Sequence, residues 1–154
     1  MTMRSIMLSV TACVLAGSVA VAADAQMGTW KLNEAKSKLN PAGGKNMMVV
    51  YAPAGDNVKV TVDGTDASGK SFRSEWTGKF DGKDYPVSGD PISDTRSYKQ
   101  VDDRTLEMTV KKEGKVTVTG RIAVSADGKS RTVTTSGTDS QGKKVTNIAV
   151  YDKA

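Results

Sequence analysis

The chain has 154 residues, 22 lysines and arginines against 17 aspartates and glutamates, one cysteine and no histidine. Without histidine, Ser-His-Asp and Cys-His catalytic arrangements are excluded, and so are zinc sites built from nitrogen and sulfur ligands. The net charge of +5 raises nucleic acid or an anionic membrane as partners. The lysines, however, are scattered singly and are not interleaved with aromatic residues. This pattern predicts a basic, solvated surface and no nucleic-acid partner.

Residues 1–25 predict a signal peptide. Residues 1–4 carry one positive charge, and an apolar run covers residues 6–22. Small residues at the end of this run predict cleavage after Ala22 or Ala25. The alternative is a retained membrane anchor, for which the apolar run is short.

Cys13 lies inside the apolar run, in a segment that fits the loose pattern of a bacterial lipobox. The run continues beyond Cys13, whereas a lipoprotein usually turns polar there, so we expect release and not lipidation. We therefore expect a periplasmic or secreted protein with one mature domain, residues 26–154, and no stable membrane span. That domain has no cysteine and hence no disulfide.

The mature segment reads as a series of strands with short turns. Residues 28–32 open as a strand, and residues 34–39 predict a short helix. Alternation of apolar and polar residues predicts the further strands 45–52, 58–63, 70–80, 95–101, 105–112, 115–124, 129–137 and 143–153. Residues 84–94 are irregular and contain Pro86 and Pro91, which predicts a short edge piece or a loop at a barrel rim.

These short connections predict an all-β fold, an antiparallel up-and-down meander closed into a barrel of eight to ten strands with one short helix after the first strand. Within it, Phe72, Trp76 and Phe80 share one strand face, with charged residues on the other, so we expect these rings to line the interior. The same alternation turns the following residues inward: Leu106, Met108, Val110, Val116, Val118, Ile122 and Val124.

Two arginines lie on faces that read as inward. Arg96 shares its face with Tyr98, and Arg131 shares its face with Val133. An inward guanidinium needs an acidic partner, and a ligand carboxylate is one candidate. The alternative is that each long side chain reaches water at a strand end.

Catalytic chemistry has no visible basis in the sequence. The glutamates are few and scattered, and the aspartate-rich stretches at residues 63–66 and 81–84 are explained by turn formation and not by calcium binding. We expect no enzyme activity, no cofactor and no metal.

Both ends of the mature chain resemble the calycins, the superfamily of lipocalins and fatty-acid-binding proteins. Residues 28–32 are similar to their Gly-x-Trp opening strand, and residues 150–154 to the closing strand of the fatty-acid-binding proteins. The resemblance implies a closed barrel with a hydrophobic ligand inside and a structural Trp30 that plugs one end. In the closing strand Tyr151 matches the tyrosine of the family's Arg-x-Tyr pair, but Ala149 stands at the arginine position.

The middle of the chain, at residues 80–87 and 89–91, is similar to a group of exported bacterial proteins of unassigned role, which implies a fold and no activity. The sequence thus favours an exported barrel that binds a small hydrophobic or amphipathic ligand, with a monomer favoured. The alternative is a non-catalytic interaction or inhibitor-type envelope protein whose barrel is filled by its own side chains. The predicted ligand-binding residues are Phe72, Trp76, Phe80, Arg96, Tyr98, Arg131 and Tyr151.

Overall fold

A computed structural model describes residues 25–138 and 141–154. The predicted signal peptide, apart from Ala25, lies outside the described residues. Ten strands follow one another: β1 (Gly28–Leu32), β2 (Lys45–Ala54), β3 (Asn57–Thr65), β4 (Ser71–Gly78), β5 (Tyr85–Ser88), β6 (Thr95–Asp102), β7 (Thr105–Lys112), β8 (Lys115–Val124), β9 (Ser130–Thr138) and β10 (Lys144–Lys153).

The strands form a closed antiparallel up-and-down barrel. Each pairs with its neighbours in sequence, and β1 pairs with β10 to close the sheet. The predicted fold class is confirmed. In place of the expected helix there is a single 3-10 turn, Glu34–Lys36, because Lys38 already forms an extended bridge to Ile148 and draws the chain back along β10. No helix in the described part of the chain is long and apolar enough to cross a membrane.

Because consecutive strands alternate in direction, the connections fall at two ends of the barrel. We call one end the open rim; it comprises residues 33–44, 66–70, 89–94 and 113–114 and the start of β10. We call the other end the closed base; it comprises residues 55–56, 79–84, 103–104 and 125–129 and the two ends of the mature chain.

The closed base is sealed by the segment that precedes β1. Gln26 is completely buried there, and its Nε2 donates to the carbonyl oxygen of Arg104, 3.3 Å away, in the β6–β7 turn. Trp30 is also completely buried, and its indole N–H donates to the carbonyl oxygen of Gln26 at 2.9 Å. The structure thus places Trp30 where a plug would lie.

The open rim is not sealed in this way. Several inward-facing side chains toward this end are only half-buried: Phe72, Met108, Val118, Thr135 and Asn147. Others toward the same end, such as Val62, Arg96 and Val110, are buried. For Phe72, Met108 and Asn147, the strand neighbour two positions toward the base is buried: Ser74, Leu106 and Ala149. Part of the inner wall is therefore less well covered toward the rim.

Strand β5 is the shortest strand of the sheet. It forms two residue pairs with each neighbouring strand. Ser88 and Val87 pair with Glu75 and Trp76 of β4. Tyr85 and Pro86 pair with Arg96 and Thr95 of β6. Pro86 lies within it and cannot donate to the ladder. The short piece predicted at residues 84–94 is confirmed, and β5 completes the barrel instead of lying at a free edge.

Val116 was predicted to face the interior, and this is wrong. The register between β7 and β8 shifts after Val110, which pairs with Val118, so that Lys111 pairs with Val116. A bulge of this kind adds one residue to one strand and reverses the alternation beyond it. Val116 is accordingly 55% exposed.

Candidate functional site

The three aromatic residues of the β4 region lie on the inner face of the barrel. Trp76 is 1% exposed, and Phe72 and Phe80 are half-buried against the core, whereas Arg73 and Glu75 between them point outward. The predicted register of this strand is confirmed. These rings are free to contact a ligand only where other side chains of the protein do not already cover them.

Trp76 is surrounded by rings of the protein itself. Its indole stacks on Phe80 at 6.4 Å between centroids, and it meets Tyr85 and Tyr98 edge to face at 5.6 and 4.7 Å. Its N–H donates to the carbonyl oxygen of Arg96 at 2.8 Å. These contacts satisfy both the apolar and the polar parts of the side chain, so Trp76 belongs to the barrel's own core. Phe72 lies apart from these rings, toward the open rim.

Arg96 is buried in the interior and has an acidic partner from its own chain. Its Nη2 lies 2.9 Å from Oδ2 of Asp90, and the side chains of both residues are 8% exposed. Nη1 donates to the Tyr98 hydroxyl at 3.2 Å. Asp90 also accepts from the hydroxyl of Ser93 and from the backbone N–H of Ile92. The alternative in which this side chain reaches water is therefore wrong, and so is the need for a ligand carboxylate at Arg96.

Arg131 is 3% exposed and has no acidic partner among the described residues. Its guanidinium carbon lies 5.3 Å from the ring centre of Trp30 and 4.9 Å from those of Tyr51 and Tyr151. Within the described part of the chain, its Nε and Nη1 have no hydrogen-bond partner. Three ring faces attract a cation, but they cannot accept several N–H bonds as a carboxylate does. For this arginine, too, the structure rejects exposure at a strand end.

Two of the buried tyrosines, Tyr98 and Tyr151, are held in their neutral form. Burial raises the pKa of Tyr151 to about 12, although Arg131 acts in the opposite direction. Burial likewise raises the pKa of Tyr98, against the opposing effect of Arg96. Burial disfavours the charge on Arg96, but Tyr98 and Asp90 outweigh it and leave the pKa of the guanidinium raised. Arg96 is therefore a cation in the barrel interior.

Tyr51 joins the two arginine environments and was not among the residues predicted from the sequence. Its ring lies beside Arg131 and meets Tyr98 edge to face at 6.3 Å between centroids. A continuous set of contacts therefore crosses the interior from Asp90 through Arg96, Tyr98 and Tyr51 to Arg131. The alternation Val49–Tyr51 in β2 was the available signal, since Tyr51 falls on the same strand face as a buried valine.

Two surface depressions lie away from this interior set. One of about 400 Å³ is lined by the β6–β7 turn and the end of β8 at the closed base. The other, of about 340 Å³, is lined by Glu75, Thr77 and three residues of β5. Neither is lined by any of the predicted site residues.

No family model and no curated protein matches the chain. Among solved structures, it is similar to that of EF1p2_mFAP2b bound to DFHBI, with 12% identity and a TM-score of 0.53, covering 89% of this chain and 100% of the other. It is also similar to a redesigned beta barrel, mFAP1, bound to DFHBI, with 17% identity and a TM-score of 0.45, covering 86% of this chain and 99% of the other. At such identities the first similarity supports the barrel fold alone.

Proposed function

We propose that this chain is an exported barrel of the calycin type that binds a small amphipathic molecule with an anionic group, which enters through the open rim. The observation that carries the proposal is Arg131, a buried guanidinium whose Nε and Nη1 lack partners and which pairs with no carboxylate of the described residues. An uncompensated buried charge destabilises a folded protein by several kcal/mol. A ligand anion beside Arg131 supplies the missing charge and acceptors.

The inner face of β9 provides the path to this guanidinium. From Arg131 the same face continues through Val133 and Thr135 toward the open rim, and both of these side chains are half-buried. The ligand thus meets an apolar and weakly polar wall first and a cation at depth, which fits a molecule with an apolar body and one anionic group. A barrel of this architecture holds a small molecule in the similar structure bound to DFHBI.

A pair of matched probes tests the charge preference. Anilinonaphthalene sulfonate and N-phenylnaphthylamine share one aromatic body and differ in a sulfonate. We expect the sulfonate to bind on the order of 10- to 100-fold more tightly, the worth of a hydrogen bond to a charged group. Arg131→Met should remove this difference and keep the neutral probe. Arg121→Met, at an exposed arginine of β8, is the matched control and should change neither affinity. Equal affinities for both probes in the unaltered protein would overturn the anion preference.

Adjacent identical residues test whether the interior is the binding site. Thr134 is exposed and Thr135 faces inward, opposite Gly120, which has no side chain. Thr135→Trp should fill the rim end of the interior and abolish binding of both probes. Thr134→Trp places the same ring outside and should leave binding unchanged. If both variants bind alike, the probes do not occupy the barrel.

The second candidate function is an interaction protein with a filled barrel. The observation that favours it is the set of rings of Trp76, Phe80, Tyr98 and Tyr51, which pack against one another inside the barrel. Absence of binding by either probe, with correctly folded protein, selects this function over the first. Neither function requires catalysis, a cofactor or a metal.

Export is part of the proposal and is supported by residues 1–25. Native mass spectrometry of protein recovered from its own periplasm or culture medium tests it directly. The expected mass is that of a chain beginning at residue 23 or 26, together with any ligand that remains bound. A full-length chain in the cytoplasmic fraction would contradict export.

A further inference from the structure

We propose that the open rim is a docking surface for an anionic lipid surface, formed by exposed lysines around two exposed aliphatic side chains. The rim patch is defined by Ile92, Lys112, Lys115, Val116 and Lys144. The residues of this patch lie on the exterior of the barrel, so the proposal does not depend on what the barrel interior holds. Its use in exchanging ligand with the lipid does rest on the proposed function.

The connections of the barrel bring the two aliphatic residues of the patch to the same end. Ile92 lies in the β5–β6 loop, and Val116 is the second residue of β8. The backbone N–H of Asp94 donates to the carbonyl oxygen of Lys111, and the backbone N–H of Glu113 donates to Asp94. These two bonds hold the Ile92 loop against the β7–β8 turn. Ile92 and Val116 are 57% and 55% exposed, more than Val101, another exposed aliphatic residue, at 44%.

Exposed lysines accompany these aliphatic side chains around the open rim: Lys36, Lys38, Lys70, Lys112, Lys115 and Lys144. None of the six takes part in an ion pair within the part of the chain that the structure describes. Lys144 starts β10 opposite Thr138, at the end of β9, so it shares this end of the barrel with Lys115.

Three of the carboxylates at the rim are engaged by other groups of the protein. Glu34 pairs with Lys45, Asp66 accepts from Ser68 and Lys70 backbone groups within its own turn, and Asp90 is buried against Arg96. Asp94 and Glu113 are exposed at the rim, but the closed base exposes more carboxylates: Asp56, Asp81, Asp84, Asp102, Asp103 and Asp127. The rim therefore presents the more positive end of the molecule, which complements a negatively charged surface, and its aliphatic side chains suit the apolar layer beneath lipid head groups.

Vesicle binding tests the proposal with charge-matched variants. The rim variant carries Lys112→Glu, Lys115→Glu and Lys144→Glu. The base variant carries Lys79→Glu, Lys83→Glu and Lys129→Glu, at three exposed lysines of the closed base, so both change the net charge equally. With phosphatidylglycerol vesicles, we expect the rim variant to bind on the order of 100-fold more weakly, since each basic residue near such a surface contributes about a factor of five. The base variant should bind within about twofold of the unaltered protein.

The aliphatic part is tested in the same assay. Ile92→Asn with Val116→Thr should weaken binding about tenfold or more, whereas Val101→Thr, outside the patch, should have no effect. Vesicles of phosphatidylcholine alone should bind weakly to every variant.

Three outcomes overturn the proposal: equal loss in the rim and base variants, no loss in either, or equal binding to the two lipids. If polyglutamate, an acidic chain without an apolar layer, binds as tightly as the vesicles and with the same variant pattern, the partner is an acidic protein and the lipid proposal fails. Probe binding in vesicle-free buffer separates this inference from the proposed function. If the protein binds vesicles but not the probes, the docking surface is supported and the proposed ligand binding is refuted. If it binds the probes but not the vesicles, the ligand binding is supported and the docking surface is refuted.

Discussion

The ion pair between Asp90 and Arg96 should be the polar contact on which the stability of the barrel most depends. Asp90→Asn removes the carboxylate and leaves a guanidinium that is 8% exposed, with its Nε already lacking a partner. Removing one member of such a buried pair typically lowers the free energy of unfolding by about 3–5 kcal/mol. Arg96→Met should have a similar effect, because it leaves the Asp90 carboxylate buried without a counter-charge.

A double variant separates this explanation from simple loss of contacts. Asp90→Asn combined with Arg96→Met leaves no isolated charge, so it should lose no more stability than either single change. The matched surface control is Asp63 with Arg73, a two-bond pair at 38% and 65% exposure, where Asp63→Asn should lower the free energy of unfolding by less than about 1 kcal/mol.

Urea unfolding at neutral pH measures all five proteins, including the unaltered one. The midpoint should fall in the single buried variants without a change in the slope of the transition. Added salt should reduce the small Asp63 effect and leave the Asp90 effect nearly unchanged, because the buried pair is shielded from ions. If Asp90→Asn proves as mild as Asp63→Asn, the reasoning about desolvated charge in this barrel is refuted.

Three further effects follow from the structure. Trp30→Ala should lower the free energy of unfolding by about 3–5 kcal/mol in the same assay, and an unchanged unfolding curve would show that Trp30 does not seal the base. Gly89→Ala should lower the melting temperature more than Gly55→Ala, although both glycines have positive φ. An added Cβ at Gly89 lies 2.1 Å from the carbonyl oxygen of Arg73, whereas one at Gly55 meets nothing within 4 Å. Equal shifts in melting temperature would contradict this. Folding raises the pKa of Tyr151 from 10.0 to about 12. Its contribution to the free energy of unfolding is therefore complete below pH 10, and up to about 3 kcal/mol of stability is lost as the pH rises toward 12. Tyr151→Phe should reduce this loss in unfolding curves recorded at a series of pH values.

The strands and the β4 register were predictable from sequence because each depends on local alternation. Val58, Val60 and Val62 alternate with polar residues, and all three are buried in β3. The same rule failed at Val116, where a bulge opposite Lys111 changes the register. A bulge is fixed by pairing across two strands, and the sequence of one strand carries no sign of it.

The site was only partly predictable for a similar reason. Both arginines were recognised as inward candidates because they share faces with apolar or aromatic residues. The acidic partner of Arg96 was not recognised. Asp90 lies in a loop with Gly89 and Pro91, and in a loop no regular alternation tells which side chains point into the barrel. Whether a buried guanidinium meets a carboxylate or only rings, as at Arg131, is decided by loop and barrel geometry that alternation does not encode.

The brevity of β5 has a consequence for the dynamics of the barrel. With two residue pairs on either side and a proline within it, β5 contributes the fewest ladder hydrogen bonds to the closed sheet. Local opening should therefore begin here, and backbone amides of β5 and the facing amides of β6 should exchange their hydrogens faster than those of β2, β3 and β8. Such an opening separates β5 from its neighbours and opens the closed sheet at that one position, while the remaining nine strands stay paired.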